Sequence, residues 1–445
     1  MSEELRTRVR GLMGRARDDL AELVAFRSVY DPAHYPEQEC EAAARWVLAA
    51  CAAEGLTEGG SHEMPDGSFT VVARKAAPPG RPTVLLYCHY DVQPPMDETA
   101  WLTPPWELTD QPDGRWYGRG AADCKGNLVM HLTALRALGD DLPVGVVLVA
   151  EGSEEQGGPG LEEFLPDHPE LTQADVILVA DSGNVEVGVP TFTETLRGMA
   201  NVVVSVETLA GPVHSGSYGG AAPDALIALI RMLGTLHDER GNVTVEGLRA
   251  DQTWHGVAYP EGRFRADAGV LDGVGLVGGG TVADQVWARP ALTVLGVDCP
   301  PAEGSAAAVQ AKARARLNLR VPPGTAPQEA LDLLTAHLKA AAPWGVRVTA
   351  EPEGTGEPFR AHTGGPAYAK MGEALKAAYG REPVSQGEGG SIPLCAVFQR
   401  VYPDAEIMLF GVEEPSCLIH APNESVDPTE IEHLAYAEAL FLASL

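Results

Sequence analysis

The stretch TVLLYCHYDVQPP, Thr83–Pro95, runs from a block of apolar residues straight into His89 and Asp91. A short apolar run with no polar alternation suits a strand covered on both faces. The pattern recurs at Phe69–Arg74, Gly145–Ala150 and Val176–Ala180, while Leu128, Leu132, Leu135 and Leu138 mark a helix between Thr83–Cys88 and Gly145–Ala150. Strands alternating with helices predict an α/β fold built on a mostly parallel sheet. Functional groups in such sheets collect beyond the carboxyl ends of the strands. His89, Glu155 and Asp181 each lie at or just past the end of such a run.

The pattern changes near residue 196. Ala200–Val206, Ala311–Val321 and Trp344–Ala350 read as strands, and Pro223–His237 and Pro327–Ala341 as helices. These predict an inserted α+β domain with an antiparallel sheet. A Gly/Pro-rich stretch near Glu353–Pro358 then leads back to a helix at Pro366–Tyr379, a strand at Glu406–Gly411 and a terminal helix at Pro428–Leu442. The expected division is 1–195 and 356–445 for a discontinuous catalytic domain, with 196–355 as the insertion. At 445 residues the chain exceeds one ordinary core, which agrees with two domains.

The formal net charge is −30, from 62 acidic against 32 basic residues, a surface that repels phosphate backbones and argues against nucleic-acid binding. Seven scattered cysteines without a CxxC disfavour a disulfide framework or a thiolate zinc site, so a reducing cytoplasm is expected. The N-terminal segment reads as an amphipathic helix, with Leu5, Val9, Leu12, Ala16, Leu20 and Leu23 near one face, and not as a signal peptide. No apolar run reaches the roughly 18 residues of a membrane span.

Five residues form a candidate ligand set: His89, Asp123, Glu155, Asp181 and His420. Two imidazoles and three carboxylates are too few for two metals at four ligands each unless one carboxylate bridges and water completes the shells. Taken singly, each has an ordinary reading: Asp123 as a helix cap, Asp181 as a turn residue, His420 as a surface loop histidine. Asp91, two residues from His89, suits the task of holding the imidazole nitrogen that faces away from metal. Glu154 and Glu155 are adjacent acids whose repulsion a cation would relieve. In that reading Glu155 binds metal and Glu154 holds the attacking water as general base. His214, in HSGSYGG, suits donation to an oxyanion, and Arg320 suits a substrate carboxylate. Gly389, Gly390 and Ser391 form a backbone-rich loop able to cradle a small polar ligand. Each of these three also reads as an ordinary loop or strand feature.

The strings HYDVQP, YGRGAADCKG, EGSEEQGGPGLEEF, HSGSYGG, RVPPG, EGGSIP and H-x-x-NE occur in this order from about residue 80 to the C-terminus. In this the chain resembles the zinc-dependent aminoacylase/carboxypeptidase/dipeptidase metallopeptidases, most closely the carnosinase-like cytosolic dipeptidases. The resemblance implies that His89 and Asp181 hold one metal, Glu155 and His420 the other, and that Asp123 bridges them. It implies Glu154 as base, Asp91 as orienter of His89, and the insertion as lid and homodimerisation surface. His214 would polarise the scissile carbonyl in the neighbouring subunit, and Arg320 with Gly389–Ser391 would bind the substrate's terminal carboxylate and backbone. The sequence departs from the family at Cys88, at Cys124 and near Ala307 and Gln310, where a lid Thr and Pro are missing.

The expected function is two-metal hydrolysis of dipeptides or similarly short peptides. The ligand set suits zinc and tolerates manganese or cobalt. An N-acyl-amino-acid deacylase or carboxypeptidase uses the same chemistry, and a catalytically inactive metal-stabilised binding protein is the rival from another class. The intact Glu154 and complete ligand set argue against that last reading.

Overall fold

The structure, a computed structural model, describes residues 2–157 and 160–445. The chain divides into two compact units, Met1–Glu194 with Ala361–Gln386 and Leu394–Leu445, and Thr195–Arg360 with Gly387–Pro393.

In the first unit the sheet runs in the order Glu58–Glu63, Phe69–Lys75, Gly145–Glu151, Thr83–His89, Val176–Ala180, Glu406–Phe410, Thr191–Leu196. The middle four strands are parallel neighbours, and those flanking them are antiparallel. Every residue of Gly145–Glu151 and Val176–Ala180 is buried, as their unbroken apolar composition requires. Val84, Leu86 and Cys88 join the main core with the helices. Tyr87, of opposite parity, meets Phe398 at 6.2 Å between ring centroids. Helix Lys125–Leu138 is buried at every position except Arg136 and packs against Ser2–Ala25 and Pro428–Ser444. Full burial of each of its leucines contributes roughly 1.5–3 kcal/mol. Lys125 Nζ donates to Leu23 O and Phe26 O, answering carbonyls at the end of the N-terminal helix. The helix Glu37–Ala53 and the edge strand Glu58–Glu63 carry weaker apolar patterns and are not marked by the sequence reading above.

The second unit contains a four-stranded antiparallel sheet in the order Ala291–Asp298, Lys312–Val321, Gly198–Glu207, Arg347–Gly356. Alternate residues of the two central strands, Ala200 to Val206 and Ala313 to Leu319, bury one face under the helices Ala225–Leu233 and Pro327–Ala340. The first helix is shorter than the expected Pro223–His237. Asp224 caps it by accepting from Ile227 N at 3.0 Å, so Pro223 stays outside, and Gly234 ends it. The expected strand at Trp344 begins only at Arg347, because Trp344 sits in a turn with φ 56°. That strand continues through the segment expected to be a linker, taking up Pro352 in a bulge before Gly354.

Candidate metal centre

Because four strands of the first unit are parallel, the segments leaving their carboxyl ends meet at one edge of the sheet. His89 is the last residue of its strand, and Asp181 directly follows Val176–Ala180. Glu154 and Glu155 open a short 3-10 turn three residues beyond Gly145–Glu151. Asp123 precedes the buried helix Lys125–Leu138, and His420 comes from the loop beyond Glu406–Phe410. All five candidate ligands thus converge within this unit.

Asp123 faces both ways. Its Oδ1 lies 2.9 Å from His89 Nε2, and its Oδ2 lies 2.9 Å from His420 Nε2. Asp181 Oδ1 completes one side at 3.1 Å from His89 Nε2, and Glu155 Oε2 the other at 3.1 Å from His420 Nε2. Ligand atoms of Asp123, Glu155 and His420 lie within 4.8 Å of one another, as do those of His89, Asp181 and Cys124. Burial of Cys124 pushes its thiol well above the ordinary range, and the thiol donates to Ala180 O at 3.0 Å. A thiol held protonated in this way is a poor ligand.

Negative charge dominates the cluster. Burial, reinforced by Asp181, pushes the Glu154 carboxyl well above the usual range. Burial and then Asp123 raise Glu155. Asp123 moves the opposite way: burial opposes its charge, but hydrogen bonds from His420 and His89 outweigh it. His420 is raised to about 10 by its bonds to Asp123 and Glu155, although its side chain is 52% exposed. Glu155 Oε1 is buried without a hydrogen-bond partner among the described residues. A buried acceptor left unanswered among crowded carboxylates and imidazoles fits a pair of divalent cations.

The surrounding groups refine the reading of Asp91 and add others. His89 Nδ1 lies 3.1 Å from the Asp91 backbone carbonyl and 3.3 Å from its Oδ1. The Asp91 carboxylate also accepts from Glu154 N at 3.2 Å and Glu155 N at 3.1 Å, so it holds the Glu154–Glu155 turn as well as the imidazole. Gln93 Nε2 donates to Glu155 Oε2 at 2.8 Å. Glu424 is fully buried. It accepts from Arg119 Nη1 at 2.7 Å and from the amides of Gly120, Ala122 and Asp123 at 2.9, 3.0 and 3.1 Å. It ties the His420 segment to the Asp123 loop. His420 has φ 61°, a left-handed conformation that costs a non-glycine residue roughly 1–3 kcal/mol and recurs at functional sites. Glu413, buried beside Asp123 and Asp181, was missed by sequence reasoning. The signal was a second acidic doublet, Glu413–Glu414, just past a central strand.

The remaining candidates belong to the second unit. His214 ends a short strand opposite Ala308, is exposed, and lies 3.4 Å from Ser217 Oγ. Arg320 is partly buried opposite Met199 in the sheet. Gly389 packs against Arg197, where an added Cβ would lie 2.8 Å from Nη2.

A model of peptidase family M20/M25/M40 matches residues 85–444. The chain is 47% identical over 440 residues to the cysteinylglycine-S-conjugate dipeptidase of Corynebacterium striatum, covering 96% of this chain and 95% of that protein. It is 27% identical over 382 residues to the Cys-Gly metallodipeptidase DUG1 of Saccharomyces cerevisiae, covering 80% and 78%. Among solved structures it is similar to human carnosine dipeptidase 1, with TM-score 0.81 and 23% identity, covering 100% of this chain and 99% of that one.

Proposed function

The chain belongs to peptidase family M20/M25/M40 and is a metallopeptidase, and from this premise we propose that it hydrolyses Cys-Gly and its S-conjugates. The observation that carries the hydrolytic reading is Asp123 shared between two imidazole–carboxylate pairs with Glu154 beside them. The substrate choice rests on the near-full-length similarity to a cysteinylglycine-S-conjugate dipeptidase.

His89, Asp181, Glu155 and His420, together with Asp123, would hold two divalent ions, zinc by preference. Such ions lower the pKa of water and polarise the scissile carbonyl. Glu154 takes the water proton and hands it to the leaving amine. Asp91 keeps His89 and the Glu154 turn in place. Arg320 with Gly389, Gly390 and Ser391 holds the terminal carboxylate. His214 of the partner subunit donates to the oxyanion.

A homodimer through the second unit is supported by the strand Ala291–Asp298. It is an edge strand among the described residues, and its Val294, Leu295 and Val297 are 41%, 51% and 42% exposed. Apolar residues on an open edge favour pairing with another strand. All seven cysteines are free thiols, which suits a reducing cytoplasm. Among the described residues no helix is long and apolar enough to cross a membrane.

Metal analysis with a substrate panel tests this reading. The panel holds Cys-Gly, an S-alkyl Cys-Gly, carnosine, N-acetyl amino acids and a tetrapeptide. Two metal equivalents and fastest turnover of the Cys-Gly pair are expected. Preference for the acylated or longer substrates would instead assign a deacylase or carboxypeptidase.

A further inference from the structure

We propose that Arg197, one residue before the strand Gly198–Glu207, is a second carboxylate-binding guanidinium of the substrate site, gripping the dipeptide's terminal carboxylate beside Arg320 and the Gly389–Ser391 loop. The proposal rests on the dipeptidase reading for the identity of the ligand.

Arg197 is only 7% exposed, yet no acid answers it among the described residues. Nη1 donates to Gln285 O at 3.1 Å and Arg289 O at 3.2 Å, both backbone carbonyls. Nε is buried with no partner among the described residues. Nη2 likewise has no protein acceptor among the described residues. The unanswered donors therefore lie together on the Nε–Nη2 edge, the fork whose parallel N–H groups match the two oxygens of a carboxylate. The edge is next to the glycine loop. Arg197 N donates to Glu388 O at 3.2 Å, and only the absence of a Cβ at Gly389 leaves room for Nη2.

A second positive charge stands nearby. Arg320 pairs with Met199 across the sheet, two residues from Arg197, and also lacks a protein acceptor among the described residues. Burial, with Arg320 adding to it, pushes Arg197 down to about 10, so it remains charged at neutral pH. Burying a guanidinium without a counter-charge is costly, and setting a like charge nearby adds to the cost. A carboxylate supplied by the ligand removes both penalties. The backbone bonds of Nη1 serve a separate purpose, fixing the plane of the fork against the 285–289 turn.

Binding of Cys-Gly and of its C-terminal amide is measured by calorimetry on the full-length, metal-loaded Glu154→Gln protein, which spares the ligand. The same pair is compared by kcat/KM in the active protein. The unsubstituted Arg197 protein is expected to favour the acid. Arg197→Met should weaken acid binding roughly tenfold or more while leaving the amide within about twofold. Arg197→Lys keeps the charge and protects the fold, but its ammonium cannot grip two oxygens, so the acid-to-amide ratio should still fall at least about threefold. Equal losses for acid and amide, or an unchanged ratio in Arg197→Lys, would assign Arg197 a purely structural role. Selective binding of the acid without turnover would overturn the hydrolytic reading and leave this one standing.

Discussion

At the scale of single residues, the adjacent acids Glu154 and Glu155 are proposed for different tasks because their surroundings differ. Glu155 shares His420 with Asp123, whereas Glu154 is half-buried near Asp181 and has no ion pair with an imidazole among the described residues. Glu154→Gln should keep both metal equivalents and lose about 10²- to 10⁴-fold in kcat; undiminished turnover would remove it from the mechanism. His420 contributes a pH dependence. Its pKa in the metal-free fold is raised from 6.5 to about 10, so its contribution to that fold is complete below about 6.5 and is lost as pH climbs through 10. A metal must displace the same proton, so affinity should rise by up to about tenfold per pH unit across the neutral range. Calorimetry in buffers of different ionisation heat would detect the released proton, and an affinity flat from pH 6 to 9 would contradict the assignment. Glu424 touches no candidate ligand side chain, yet it binds the amide of Asp123. Glu424→Gln turns a donor toward these amides and should lower metal affinity about 10- to 100-fold, read against the melting temperature to separate loss of site from loss of fold.

At the scale of elements, the site depends on how closely neighbouring strand ends approach. Gly183, just past Asp181, bridges to Glu413, and an added Cβ would lie 2.1 Å from Glu413 O. Backbone cannot yield as a side-chain tip can, so Gly183→Ala should cost about 1–3 kcal/mol and part Asp181 from Glu413. The urea midpoint should fall together with metal affinity; a variant that keeps both would show that the two ends have room to relax. Strand and helix positions were largely legible, because unbroken apolar runs and leucine spacing report burial directly. The errors fell where local chemistry overrides periodicity. Asp224 caps a helix that apolar content alone would start earlier, and Trp344 occupies a left-handed turn that hydropathy does not register.

At the scale of the whole molecule, the proposed dimer and the proposed role of His214 stand or fall together. Replacing Val294 and Val297 by lysine on the open edge strand should shift the protein to monomer in sedimentation. Activity should fall at least about tenfold with metal content unchanged, since a missing oxyanion donor costs on that order or more. A monomer with full activity would refute the supply of His214 in trans. By itself, the order of residues determined the alternation of strand and helix, the five acids and imidazoles at segment ends, and the second acid, Glu154, beside one of them. Those are local properties, written in runs of a few residues. Only the tertiary structure decided that Asp123 turns one oxygen to each imidazole, that Glu424 and Glu413 belong to the same neighbourhood, and that Arg197 is a buried cation without an acid among the described residues. Such relations join residues hundreds of positions apart, and no local pattern encodes them: which charges must be answered, and by what, is settled when distant segments are desolvated together.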